Sequence, residues 1–201
     1  MERTLVIATN NAGKAREFRA IFEPKGFTVQ TLADFPNLKQ IAETGSTFTE
    51  NATLKAAAVA EATQLTVLAD DSGLMVDALE GEPGIYSARY AGDHDDAKNN
   101  AKLLAKLKGV PADQRGAAFH TSLVLRQPSG HQLVTTGEVR GLILSAPRGN
   151  DGFGYDPLFY VPSEHQTFAE MPLATKNQHS HRAKATAAML PLFDEWWEAA
   201  Q

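Results

Sequence analysis

The run Val67-Leu68-Ala69-Asp70-Asp71-Ser72-Gly73 drives three apolar residues directly into two adjacent carboxylates, a hydroxyl and a glycine. A short aliphatic run reads as a buried strand and Ser-Gly as its breaker. The expectation is therefore a strand whose C-terminal mouth carries both acids, the position where open α/β sheets take ligands. Neighbouring side chains on an extended strand point to opposite faces, which gives Asp70 and Asp71 different tasks. Adjacent carboxylates repel and one pKa rises unless a cation holds both ionised. A hard divalent ion with oxygen ligands, such as Mg²⁺, is the natural partner. For this stretch alone, a polar strand-to-turn junction without chemistry is the simpler alternative.

Composition narrows the setting. A chain of 201 residues fits one domain or two small lobes. With 43% hydrophobic and 21% charged residues it is ordinary for a globular protein rather than a disordered one. A net charge of -5 argues against a nucleic-acid backbone as main partner, yet leaves room for a small anion in a local basic pocket. The absence of cysteine removes disulfides, thiolate zinc sites and a cysteine nucleophile. The first apolar run, Leu5-Val6-Ile7-Ala8, is too short for a signal-peptide core, and no segment approaches bilayer length. The expected setting is the cytoplasm, without membrane or nucleic acid as partner.

In chain order, residues 3–9 read as a buried first strand ending in Thr9-Asn10-Asn11-Ala12-Gly13-Lys14. Ala15, Phe18, Ile21 and Phe22 then recur at helical spacing from Lys14 onward. A strand, a tight polar turn and a helix start make an anion site from outward-pointing N–H groups, to which Lys14 adds a point charge. P-loop and dinucleotide glycine patterns are both missing here. Residues 27–32 form a candidate second strand and 33–46 a loop carrying Glu43. Glu43 is a solvated loop acid unless the fold brings it to Asp70 and Asp71. Thr47-Phe48-Thr49-Glu50 is a capping box opening an alanine-rich helix over 48–63, on which Lys55 suits the surface equally well.

Further along, 94–108 reads as an amphipathic helix built on Ala97, Ala101, Leu104 and Leu107. Residues 117–126 and 131–140 flank Gln127-Pro128-Ser129-Gly130 as a hairpin. The loop over 148–157 carries Gly149, Gly152 and Gly154 within six residues, and the rings of Phe153 and Tyr155 set among them either stack on a flat ligand or tuck into the core. Lys176 to Arg182 leads into a helix capped by Ser180, which Pro191 is expected to kink or restart. His179 and His181 are two apart, a spacing that does not share a helical face, and no zinc pattern exists.

These stretches agree on one chemistry: a basic turn for a polyphosphate, acids for a bridging divalent ion, a glycine–aromatic loop for a planar base. Thr9-x-Asn11-x-Gly13-Lys14, Phe48-x-Glu50-Asn51-Ala52-x-x-Lys55-Ala56, Ala69-Asp70-Asp71-Ser72-Gly73, Gly84-Ile85-Tyr86-Ser87-Ala88-Arg89, Gly152-Phe153-Gly154-Tyr155-Asp156-Pro157 and Ser180-His181-Arg182 closely resemble the inosine/xanthosine triphosphate pyrophosphatase family. The resemblance spans nearly the whole chain. It implies an α/β fold, an elongated mixed β-sheet with flanking helices forming two lobes around a central cleft, residues 1–201 acting as one domain, and a homodimer. The implied reaction is Mg²⁺-dependent hydrolysis of deaminated purine nucleoside triphosphates (ITP, dITP, XTP) to monophosphate and pyrophosphate. By motif, Asp71 resembles the general base, and Glu43, Asp70 and Asp71 resemble the metal-site acids. Thr9, Asn10, Asn11, Ala12, Gly13, Lys14 and Ser72 resemble triphosphate contacts. Phe153, Gly154, Tyr155, Asp156, Lys176, His181 and Arg182 resemble nucleoside contacts.

Two other readings stay open on sequence grounds: a nucleotide pyrophosphatase with another base preference, and a nucleotide-binding module without catalysis. An aspartyl-nucleophile phosphatase would want Asp-x-Asp, which Asp70-Asp71-Ser72 does not supply.

Overall fold

A computed structural model of the protein describes residues 3–39, 41–92 and 94–199. Among the described residues, seven strands, β1 (Arg3–Ile7), β2 (Phe27–Thr31), β3 (Thr66–Val76), β4 (Gly116–Arg126), β5 (Gln132–Ile143), β6 (Phe159–Val161) and β7 (Gln166–Thr167), make one mixed sheet in the order β2-β1-β3-β4-β5-β6-β7. β1 runs parallel to β2 and β3, whereas β6 runs antiparallel to β5 and β7. The flanking helices are α1 (Ala12–Phe22), α2 (Phe48–Thr63), α3 (Asp96–Lys106), α4 (Leu173–His179) and α5 (His181–Glu198). Among the described residues, no helix is long and apolar enough to cross a membrane.

The chain divides into two compact units: Met1–Asp71 with Ser122–Thr136 and Ala185–Gln201, and Ser72–Thr121 with Gly137–Lys184. In the first, the end of β1 (Leu5 to Ile7) and the start of β3 (Val67 to Ala69) are buried on both faces, which is why they read as unbroken apolar runs. β2 instead alternates buried with less buried residues, as an edge strand does. Leu5, Ile7 and Leu68 pack against Phe18 and Phe22 of α1 and Met189, Phe193, Trp196 and Trp197 of α5. The alternate residues Val6, Ala8, Val67 and Ala69 pack against Ala52, Ala56, Val59 and Ala60 of α2. Period-two alternation thus sends neighbouring side chains of β3 to different helices.

The aromatic cluster also explains the course of α5. Its helix runs through Pro191 to Glu198 rather than restarting. Pro191 forfeits one helical hydrogen bond, but Phe193 and Trp197 are held against the Phe27 ring with centroids 5.3 and 5.1 Å away. That burial offsets the missing bond.

A second correction concerns β3. The strand does not break at Ser72-Gly73 but continues to Val76. Only its first part, Thr66 to Leu68, pairs with β1, while β4 flanks it on the other side. Asp70 and Asp71 therefore lie within a strand, just past the end of its parallel neighbour. α1 likewise begins at Ala12, earlier than the apolar spacing indicates, because Asn11 caps it by accepting from the Lys14 N–H.

In the second unit, Leu74, Val76, Ala117, Phe119, Val139, Ile143, Phe159 and Val161 meet Leu103 of α3 and Leu107 at its C-cap. The buried residues of α3 are Asn99 and Leu103, and Leu107 is buried at its C-cap as expected, whereas Ala97 and Ala101 are exposed. Asn99 is tolerated inside because it accepts from the Ala91 and Gly92 N–H groups and donates to the Ala88 carbonyl.

Candidate functional site

In the first unit the two acids do separate work. Asp70 faces the α1 side, where Lys14 Nζ lies 2.8 Å from its Oδ2 and the carboxylate is 1% exposed. Lys14 is delivered there by the β1–α1 turn: Thr9 Oγ1 accepts from the Asn11 N–H, and Asn11 Oδ1 accepts from the Lys14 N–H. Asp71 faces the α2 side. Asn51 Nδ2 donates to its Oδ2 at 3.2 Å, and Lys55 Nζ lies 3.4 Å from its Oδ1. Asn51 and Lys55 are four apart and so share one face of α2.

Lys55 also reaches Glu43, its Nζ 2.9 Å from Oε1. The loop carrying Glu43 is tied to α2 by the Gly45 N–H, which donates to Asn51 Oδ1 at 2.8 Å. A Cβ on Gly45 would lie 2.7 Å from the Glu50 Cβ, so only glycine lets the loop approach the helix this closely. The capping box at Thr47 is half realised: Thr47 Oγ1 accepts from the Glu50 N–H, while the Glu50 carboxylate closes on Ser46.

Burial pushes the Asp71 carboxyl up, against the pull of Lys55 and Lys14, and Glu43 and Asp70 push it further. Burial alone would lower the Lys55 ammonium, but Asp71, Asp70 and Glu43 together hold it above its ordinary value. Two carboxylates from separate elements thus converge on one positive charge. Their hard oxygen donors, aimed at a single cation, fit a Mg²⁺ ion by ligand type. Of the three acids expected around a metal, Glu43 and Asp71 share this point, whereas Asp70 pairs with Lys14 on the opposite face. Among the described residues, no cluster of three or more His, Cys, Asp or Glu is arranged to hold a metal.

In the second unit the glycine–aromatic loop is folded around a buried ion pair. Asp156 Oδ2 accepts from Lys176 Nζ at 2.7 Å and from the Phe153 N–H at 2.9 Å. Both charged side chains are 4% exposed. Burial pushes the Asp156 carboxyl up, opposed by Lys176, the Phe153 N–H and Arg182. Gly152 sits at φ 82°, where a Cβ would run into the Asp156 carboxylate.

The half-buried Phe153 ring has Lys176 Nζ 4.7 Å and Arg182 Cζ 5.2 Å from its centroid. Arg182 Nη1 also donates to Ser72 Oγ at 3.3 Å and to His181 Nε2 at 2.9 Å; guanidinium has no acceptor, so the imidazole must accept. His181 in turn stacks on Phe119 with an interplanar angle of 10°.

Tyr155 is a core residue. It is 3% exposed, its hydroxyl donates to the Ser87 carbonyl, and burial raises its pKa above the ordinary phenol range. Of the two loop aromatics only Phe153 offers a ring edge or face to the outside. Lys176 belongs to the short helix α4, and Ser180 caps α5 by accepting from the Ala183 N–H.

The structure thus brings together Lys14 with Asp70, Glu43 with Asp71, and Ser72, Phe153, Asp156, Lys176, His181 and Arg182 with one another. Lys55 and Asn51 are the site residues that the sequence left unassigned. Their i, i+4 spacing at the start of a helix flanked by Glu43 was the signal.

Fold and side chains together define an α/β protein that gathers acids around lysines in one unit and cups an aromatic loop with cations in the other. The chain belongs to the Ham1 family, whose model matches residues 5–192. It is 60% identical over 198 residues to the dITP/XTP pyrophosphatase of Lactiplantibacillus plantarum, covering 98% of each chain. It is 53% identical to the dITP/XTP pyrophosphatase of Geobacillus kaustophilus, covering 98% of this chain and 95% of the relative. Among solved structures it is similar to the Staphylococcus aureus Ham1 protein, with a TM-score of 0.84, 43% identity, and coverage of 96% of this chain and 99% of that one.

Proposed function

We propose that this protein hydrolyses deaminated purine nucleoside triphosphates, ITP, dITP and XTP, to the monophosphate and pyrophosphate with the help of Mg²⁺. The observation that carries the reading is the convergence of Glu43 and Asp71 on a single positive charge, at Lys55 Nζ. The relatives named dITP/XTP pyrophosphatase support the choice of substrate. Residues 1–201 work as one nucleotide pyrophosphatase domain, in the cytoplasm and as a homodimer, on a small-molecule substrate rather than on nucleic acid or membrane.

Water near neutral pH is a poor nucleophile, so attack on the α-phosphorus requires a base. Asp71 takes that proton, its carboxylate oriented by the Asn51 amide. Glu43 and Asp71 would hold Mg²⁺, with Asp70 adding negative charge from the other face of the strand; when bound, the ion would supply charge neutralisation on the triphosphate. Lys14, Ser72 and the backbone of Thr9 to Gly13 take the phosphates. The helix start and the lysine stabilise negative charge as it moves onto the departing pyrophosphate. The bond broken joins the α-phosphorus to the bridging oxygen, whose electron pair leaves with pyrophosphate.

On the nucleoside side, Phe153 stacks with the base between Lys176 and Arg182, with Gly154, Tyr155, Asp156 and His181 shaping the loop around it. A 6-oxo purine presents an acceptor where adenine presents an amino donor. Fixed donors such as Arg182 therefore favour the oxo base and leave adenine's group unpaired, a mismatch that can reach on the order of 10⁴-fold.

The test is one assay: ITP, XTP, GTP and ATP with Mg²⁺, measuring pyrophosphate and monophosphate together. Stoichiometric pyrophosphate and monophosphate, from ITP and XTP well ahead of ATP, is the expected result. Orthophosphate release, or nucleotide recovered intact, would overturn the reading.

A further inference from the structure

The loop that holds Phe153 is gripped by a helix to which no role in the reaction has been given. Gly154 sits at φ 62°, in the left-handed region, and both polar groups of this residue are taken by side chains of α3. Its N–H donates to Asp96 Oδ2 at 2.7 Å, and its carbonyl accepts from Asn100 Nδ2 at 2.9 Å. Asp96 and Asn100 are four apart, one above the other on the same helical face. This is the spacing needed to span a single residue's donor and acceptor.

α3 is itself anchored rigidly. Asp95 caps its start by accepting from the Lys98 N–H, and Leu103 and Leu107 are fully buried beneath it. At its other end the Arg115 guanidinium donates to the Leu107 carbonyl at 2.9 Å and to the Val110 carbonyl at 3.0 Å. A hydrogen-bond pair from so fixed an element transfers that rigidity to the loop. On either side of Gly154, the Phe153 N–H is bound by Asp156 and the Tyr155 hydroxyl by the Ser87 carbonyl. Of the contacts that hold the loop, those from α3 are the ones aimed at Gly154 itself, the residue directly after the base-stacking ring.

We propose that Asp96 and Asn100 are positioning residues for base selection: they fix the Gly154 peptide groups, and with them the placement of Phe153, without touching the substrate. This deepens the nucleotide reading above and rests on it. Discrimination by hydrogen-bond polarity demands that donors and ring be held to a fraction of an ångström. A loop freed at Gly154 can rearrange to accommodate adenine. The selectivity between 6-oxo and 6-amino purines then falls, and affinity for the favoured base falls with it.

The experiment compares Asp96→Ala, Asn100→Ala and the conservative Asp96→Asn with the wild type. It reads KM and kcat for ITP and ATP alongside hydrogen–deuterium exchange of residues 150–157. Both alanine variants should speed exchange at Gly154, raise the KM for ITP about three- to tenfold with a far smaller change in kcat, and lower the ITP:ATP ratio of kcat/KM, as loss of partly exposed hydrogen bonds predicts. Asp96→Asn keeps an acceptor oxygen and should restore most of the wild-type behaviour. A purely structural role would lower thermal stability and leave the ITP:ATP ratio unchanged. Faster exchange with an unchanged ratio and KM, or unchanged exchange at Gly154, would overturn the proposal. A wild type with no preference for ITP would instead defeat the substrate reading, and the exchange data would still report whether the grip exists.

Discussion

Replacing Lys176 by Met isolates the buried ion pair beneath the base loop. Met matches the length of the lysine stem and removes only the charge. Asp156 then loses its closest partner, at 2.7 Å, in a place where both side chains are 4% exposed, so solvent screening cannot compensate. Stripping one partner from a buried pair costs about 3–5 kcal/mol. Here the Phe153 N–H remains bonded to the same carboxylate oxygen, which favours the lower end, about 3 kcal/mol. For a chain of this size that is a fall in Tm of about 6–12 °C.

The pH dependence has a definite sign. Burial already holds the Asp156 carboxyl above its ordinary value in the folded protein, and losing Lys176 raises it further. A carboxyl whose folded pKa lies above its unfolded one favours the folded state in acid, and that contribution is lost as pH rises through the folded value. The stability deficit of Lys176→Met relative to wild type should therefore be large at pH 7 and shrink as the pH is lowered towards 5. Scanning calorimetry of wild type, Lys176→Met, Asp156→Asn and the double variant measures both effects, and the double variant should recover part of the loss. A deficit below 1 kcal/mol at pH 7, or one that grows on acidification, would refute the reasoning.

Three further perturbations probe other parts of the account. Lys55→Met removes the charge on which Glu43 and Asp71 converge, and pyrophosphate release from saturating ITP should fall on the order of 10²-fold or more. Arg182→Ala removes a donor beside Phe153, and nucleotide-panel kinetics should show the ITP:ATP ratio narrowing; an unchanged ratio removes Arg182 from base selection. Phe193→Ala opens the cluster that keeps α5 helical past Pro191, and urea denaturation should show a loss of about 3–5 kcal/mol.

Much of the first unit was legible because its strands and helices carry strong patterns. Leu5 to Ala8 is apolar throughout, as a strand covered on both faces must be. The Thr47 cap marks the start of α2 to the residue. The separation of Asp70 from Asp71 followed from strand pleating alone, and Lys14 and Lys55 occupy the two faces accordingly.

What failed were places where tertiary partners override local preference. Asp-Asp-Ser-Gly has weak strand propensity, yet β4 keeps β3 extended through it. Asn99 broke the apolar periodicity of α3 because its amide is fully bonded inside the protein, a fact no spacing rule can see. Phe153 and Tyr155 look alike in sequence, but only the fold decides which ring enters the core. Lys55 resembled a surface lysine until the loop carrying Glu43 closed over it.

The central claim is that Asp71 activates water for attack on a triphosphate. Asp71→Asn keeps the side chain's shape and leaves Asn51 an oxygen to bond, while removing the proton acceptor. Pyrophosphate release from ITP with Mg²⁺ should drop by about 10²- to 10⁴-fold, the span expected for a general base, in a protein that still melts cooperatively. Release at the wild-type rate would contradict the account.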